Sequence, residues 1–312
     1  MSKCFQILVV FGSFYKKNIL STDTDNIFCL ILKNIPLAKT VFRCREVATD
    51  AMFAVKVLQK SYLNRHQKMD AIIREKNILT YLSQECGGHP FVTQLYTHFH
   101  DQARIYFVIG LVENGDLGES LCHFGSFDML TSKFFASEIL TGLQFLHDNK
   151  IVHRDMKPDN VLIQKDEENT ARRTTFVGTA LYVSPEMLAD GDVGPQTDIW
   201  GLGCILFQCL AGQPPFRAVN QYHLLKRIQE LDFSFPEGFP EEASEIIAKI
   251  LVRDPSTRIT SQELMAHKFF ENVDWVNIAN IKPPVLHAYI PATFGEPEYY
   301  SNIGPVEPGL DD

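Results

Sequence analysis

The chain has 312 residues, 45% apolar and 21% charged, with 29 basic against 38 acidic side chains and a formal net charge of −9. That balance suits a soluble globular protein of one large or two modest domains and leaves no ground for a general nucleic-acid or anionic-membrane binder. The seven cysteines form no C-x-x-C pair and read as reduced thiols in a cytoplasmic chain, and the longest apolar runs, Ile7 to Phe11 and Ile27 to Leu32, fall far below the roughly 18 residues a membrane span requires.

In chain order, residues 1–39 form an atypical N-terminal segment. Phe11-Gly12-Ser13-Phe14 reads either as an ordinary turn or as part of a loop whose glycine lets the backbone approach phosphates. Tyr15 to Thr40 divides into a polar half and an apolar half. Val41 to Val47 and Met52 to Leu58 read as strands around a turn at Ala48-Thr49-Asp50. Lys56 stands inside the second apolar run, where an unpaired ammonium is costly, so it must reach water or meet an anion. Gln67 to Leu82 shows apolar residues at helical spacing. His89 to Val92 and Ile105 to Ile109 read as the next strands, with a hinge at Gly110 to Gly115. Asp116 either caps a helix starting near Leu117 or accepts a hydrogen bond from a ribose hydroxyl. Phe127 to Lys150 is a long amphipathic helix.

Ile151 to Ile163 reads IVHRDMKPDNVLI, two short apolar runs around a dense polar loop. An extended loop can turn Asp155 and Lys157 the same way, and Asn160 is near enough in sequence to serve the same small site. A carboxylate to take a proton, an ammonium to neutralise phosphate and an amide oxygen to hold a metal are the parts that phosphoryl transfer needs. Asp198 to Cys204 opens a largely apolar, hence buried, helix. Ala211 to Phe216 is a loop, and helical segments follow to about Phe270. Residues 276–312 hold six prolines and several acids and read as an extended tail.

The loop resembles the H-R-D-L-x-x-x-N catalytic loop of protein kinases, with Met156 in place of Leu. Ala54-Val55-Lys56 resembles the V-A-I-K strand, and Thr175 to Glu186 the end of an activation segment with S-P-E for A-P-E. The resemblance implies a two-lobed α+β fold: a small β-rich lobe with one main helix over residues 40–109, a hinge at 110–115 and a helical lobe over 116–275. It implies ATP and Mg²⁺ as cofactors, with Asp155 and Lys157 catalytic and Asn160 also a metal ligand. Lys56 would meet ATP phosphates and pair with Glu75, while Val41, Ala54, Ile109, Gly110, Leu111, Val112, Asp116 and Leu162 would surround the nucleotide. Thr175 is the implied phosphosite, its phosphate pairing with Arg74 and Arg154. Thr179 would hydrogen-bond near Asp155 and Lys157, as in Ser/Thr kinases. Asp198 would brace the loop backbone, and Arg258 would pair with Glu186.

Within that family the sequence is similar to the phosphoinositide-dependent kinases of the AGC group, through FAVKVLQK, TFVGTALYVSPE, GCILFQCLAGQPPFRAVNQY, FPEGFP and Trp275 with Pro283-Pro284 in the tail. The resemblance implies protein substrates, among them AGC kinases bearing a hydrophobic motif. A docking pocket for that motif would use Lys60, Leu63, Met69, Ile72, Ile73, Lys76 and Ile105, with Asn64 and His100 departing from the pattern. The alternative is that these residues only pack the helix onto the strands. No membrane-binding domain is expected in this chain. Two landmarks depart from the family: G-x-G-x-x-G is absent, and no D-F-G follows Ile163, where Asp166 and Glu167 are the nearest acids. Three readings stay open: a working Ser/Thr kinase, a pseudokinase acting as a binding or scaffold module, and mis-joined coding segments.

Overall fold

The computed structural model describes residues 7–9, 39–113, 115–164, 179–189 and 191–286. It has two lobes, a small antiparallel sheet with one main helix and a larger helical body, the mixed α+β architecture that the sequence implied. Among the described residues no helix is long and apolar enough to cross a membrane.

A first short strand, β1 (Ile7–Val9), stands apart from the small-lobe sheet. The small-lobe sheet begins with β2 (Lys39–Arg45) and β3 (Met52–Gln59), a hairpin in which Val41 lies opposite Lys56. Its turn is closed by Asp50, at φ 60°, whose carboxylate meets Arg45 at 2.9 Å. Residues Ala54 to Leu58 of β3 are buried without a break, because β3 is an inner strand covered on both faces. α1 (Lys60–Arg65) follows, a short helix that the sequence reading did not anticipate. α2 (Met69–Thr80) buries Ile72 and Leu79 against the sheet and runs on into a wider π turn, Tyr81–Glu85.

The strand expected at His89 to Val92 is corrected. Val92 donates back to the carbonyl of His89 at 3.1 Å, so these residues form a tight turn around Pro90 with a single bridge. The strand lies further on, at β4 (Leu95–His100), which pairs with β5 (Arg104–Gly110). Only Leu95 of β4 is buried, since it is an edge strand in the order β2-β3-β5-β4.

The hinge leads to α3 (Leu117–Phe124), then α4 (Met129–Asp148), whose first turn is capped by Asp128 accepting from the Thr131 N–H at 2.8 Å. α4 and α6 (Pro195–Ala211) form the spine of the large lobe, with Trp200 fully buried, stacked on Phe216 and lying 5.1 Å from the Arg258 guanidinium. Pro195 suits the first turn of α6, and Gly212 at φ 73° ends it in the left-handed region. Between them lie the polar loop, β6 (Val161–Ile163) and α5 (Pro185–Leu188). α7 (Gln221–Glu230), α8 (Glu241–Ile250) and α9 (Ser261–Met265) complete the body, and Ile278 and Leu286 of the tail are buried on it. β6 pairs antiparallel with β1, so Ile7–Val9 lie beside the large lobe instead of extending the small-lobe sheet.

Candidate active site

The polar loop is set between the end of α4 and β6, and its backbone is fixed by one carboxylate. Asp198, fully buried in the first turn of α6, accepts from the N–H of His153 at 2.8 Å and of Arg154 at 2.7 Å, and meets His147 Nε2 at 2.7 Å. These bonds offset the cost of holding Arg154 at φ 67°, a left-handed conformation that a long side chain rarely adopts.

That frame brings Asp155, Lys157 and Asn160 together. Lys157 Nζ lies 3.2 Å from Asp155 Oδ2. Asn160 Nδ2 donates to the same Oδ2 at 2.8 Å and to the Asp155 carbonyl at 2.6 Å. Both side-chain contacts fall on Oδ2, so Oδ1 is the oxygen left to take a proton. Lys157 and Asn160 are buried beneath, whereas the Asp155 side chain is 43% exposed. Asn160 Oδ1 is buried and has no hydrogen-bond partner. An amide oxygen sealed from water without a donor is costly, and it suits a cation ligand. Among the described residues no group of three or more His, Cys, Asp or Glu could hold a metal. Asp166 and Glu167, the acids the sequence offered beside Asn160, lie outside the described residues.

In the small lobe, Lys56 Nζ meets Glu75 Oε1 of α2 at 2.5 Å, both side chains largely buried. The ammonium in the middle of β3 thus has its anion, and it also lies 5.8 Å from the centroid of Phe107. Val41, Ala54, Ile109, Val112 and Leu162 are buried, and Leu111 is half-buried. Gly110 donates to the carbonyl of Gln94 at 3.1 Å.

Asp116 is the helix cap: it accepts from the Glu119 N–H at 2.8 Å. Burial pushes its carboxyl up to about 7 against those backbone donors, and the charges of Glu119 and Asp159 push the same way. Glu186 and Arg258 form a buried fork at 2.8 and 3.0 Å, with Thr197 Oγ1 donating to Glu186 at 3.0 Å. Burial alone would raise the Glu186 carboxyl, but the Arg258 guanidinium and the Thr197 hydroxyl hold it below the usual range.

Of the docking residues, Leu63 and Ile72 are sealed in the small-lobe core and Met69 and Ile105 pack partly against it. Ile73 is exposed, Lys76 half-buried, and Lys60 Nζ donates to the Asp101 carbonyl at 2.7 Å. Arg74 is exposed on α2. Thr175 and Gly12-Ser13-Phe14 lie outside the described residues, and Thr179 starts a 3-10 turn, Thr179–Tyr182. A cavity beside Asp155 is lined by Arg154, Met156, Tyr182, Val183, Met187 and Thr197. The sequence reading did not find His147 or Thr197, the partners of the two buried carboxylates. Each is an ordinary helix residue until its neighbour across the lobe is known.

A family model described as the protein kinase domain matches residues 38–270. The chain is 84% identical over 324 residues to 3-phosphoinositide-dependent protein kinase 1 of Caenorhabditis elegans, an alignment covering 87% of this chain and 51% of that one. That alignment is longer than the 312-residue chain, so the relative carries residues with no counterpart here. The protein of the same name from Homo sapiens is 38% identical over 81% of this chain and 49% of its own length. Serine/threonine-protein kinase PKH1 of Saccharomyces cerevisiae is 34% identical over 76% of this chain and 34% of its own. The chain thus spans about half the length of the first two relatives.

Proposed function

This chain belongs to the protein kinase family, and from that premise we propose that it transfers the γ-phosphoryl group of ATP to Ser or Thr hydroxyls of protein substrates. The observation that carries the reading is the Asp155, Lys157 and Asn160 constellation, with the amide of Asn160 locked on Asp155 and its Oδ1 left without a partner.

Asp155 orients the substrate hydroxyl and takes its proton on Oδ1. The hydroxyl oxygen forms the new bond to phosphorus as the bond to the β–γ bridging oxygen breaks, and ADP leaves with that electron pair. Lys157 neutralises charge on the moving phosphoryl group. Lys56, held by Glu75, steadies the other phosphates. Asn160 would hold Mg²⁺, which when bound supplies charge neutralisation on the phosphates.

The preference for Ser and Thr rests on Lys157 with Thr179, by resemblance. The names of the relatives support protein substrates, and by resemblance these include activation loops of AGC kinases, recruited through the Lys60 to Lys76 face of the small lobe. Phosphorylated Thr175, paired with Arg154 and Arg74, would order the activation segment. The alternative of a binding module without transfer gains no support from the relatives' names.

The test is incubation of the purified chain with Mg²⁺-ATP and an AGC-kinase activation-loop peptide, followed by identification of the modified residue. Phosphoserine or phosphothreonine is the expected product. No transfer, or phosphate on tyrosine alone, contradicts the reading.

A further inference from the structure

We propose that the N-terminal strand β1 is a positioning element for the catalytic loop, acting by completing β6 from the far end of the chain. β6 begins at Val161, directly after Asn160, so whatever holds β6 also holds that side chain in place. One edge of β6 faces the hinge: Ile163 donates its N–H to the Gly115 carbonyl at 3.0 Å, and Leu162 bridges Asp116. Backbone groups alternate sides along a strand, so Leu162 turns its own N–H and C=O to the opposite edge.

The residues after Ile163 are Gln164, Lys165, Asp166, Glu167, Glu168 and Asn169, which is not a strand sequence. The partner on that edge is β1. It runs antiparallel, with Ile7 opposite Ile163, Leu8 opposite Leu162 and Val9 opposite Val161. The register makes Leu8 the residue that exchanges both backbone hydrogen bonds with Leu162. Leu162 is about 1% exposed, so water does not substitute for that partner in the folded chain. A three-residue strand paired only at the hinge is marginal and frays from its ends, and the Val161 end is the one that adjoins Asn160. Ile7–Val9, which had no partner in the sequence, thus acquire a place.

The consequence for rate rests on the kinase reading, but the strand pairing is tested without it. Hydrogen–deuterium exchange is read at the Leu162 and Ile163 amides in the intact chain, in Leu8→Pro, in Leu8→Val and in a chain lacking residues 1–9. Proline removes the donor at this position, whereas valine keeps it. Leu162 is expected to exchange at least tenfold faster in Leu8→Pro and in the truncated chain, and at the intact rate in Leu8→Val. A synthetic peptide of residues 4–12 added to the truncated chain should restore protection, and any phosphotransfer lost on truncation should return with it. Equal protection of Leu162 with and without residues 1–9 would overturn the proposal. An intact chain that transfers no phosphate contradicts the kinase reading, and the exchange result still decides the strand.

Discussion

Asp116 caps α3 with Glu119 and Asp159 as charged neighbours, and burial pushes its carboxyl from 3.8 up to about 7. Between those two values the folded state keeps a proton that the unfolded chain has released. Stability is therefore fully present at acid pH and is lost as pH rises through that window. Asp116→Asn keeps an oxygen for the α3 cap and removes the titration. Denaturant unfolding at about pH 5 and about pH 8 should show the variant gaining on the parent chain as pH rises; a parallel response in both proteins would contradict this. Glu186 has the opposite sign. Its carboxyl is held low by Arg258 and Thr197, so its contribution is present above the ordinary carboxylate range and is lost as pH falls through the depressed value. Arg258→Ala leaves Glu186 buried without its cation and should cost about 3–5 kcal/mol, read as a drop in denaturation midpoint near neutral pH. A drop within error would show that the fork does not carry this weight.

α6 links packing to chemistry, because its first turn presents Asp198 to the loop and its next turn touches the loop directly. A Cβ on Gly201 would stand 2.5 Å from Met156 Cβ and 3.0 Å from the Met156 carbonyl oxygen. Gly201→Ala must push the backbone beside Asp155, and should cost about 1–3 kcal/mol together with a larger loss of rate than its loss of stability explains. Unchanged rate in the folded variant would show that the loop accommodates the methyl group. At this scale the sequence was legible where periodicity and burial agree: β3 through its unbroken apolar run, and α4 through its long apolar face. It was not legible at β4, where Tyr96 to His100 are exposed on an edge and show no buried alternation, nor at Pro90, where apolar neighbours fold into a turn. The loop residues Asp155, Lys157 and Asn160 were readable because their spacing is local. His147 and Thr197 were not, because each acts on a partner brought near only by the packing of α4 and α5 against α6.

The whole molecule joins a small lobe that carries the Lys56–Glu75 pair to a large lobe that carries the loop, with Asp116 capping the first helix beyond the hinge. The departures from the family fall on the glycine-rich motif and on the stretch after Asn160, and both include residues outside those described. An alignment longer than the chain fits sequence missing here relative to that relative. The most direct measurement is transfer of labelled γ-phosphate from ATP to a protein substrate, with and without Mg²⁺, by the purified chain and by its Lys56→Met and Asp155→Asn variants. Transfer that requires Mg²⁺ and falls by about 10²-fold or more in each variant is the predicted result. Transfer unaffected by either substitution, or none from the folded parent chain, would contradict the assignment of these residues to catalysis.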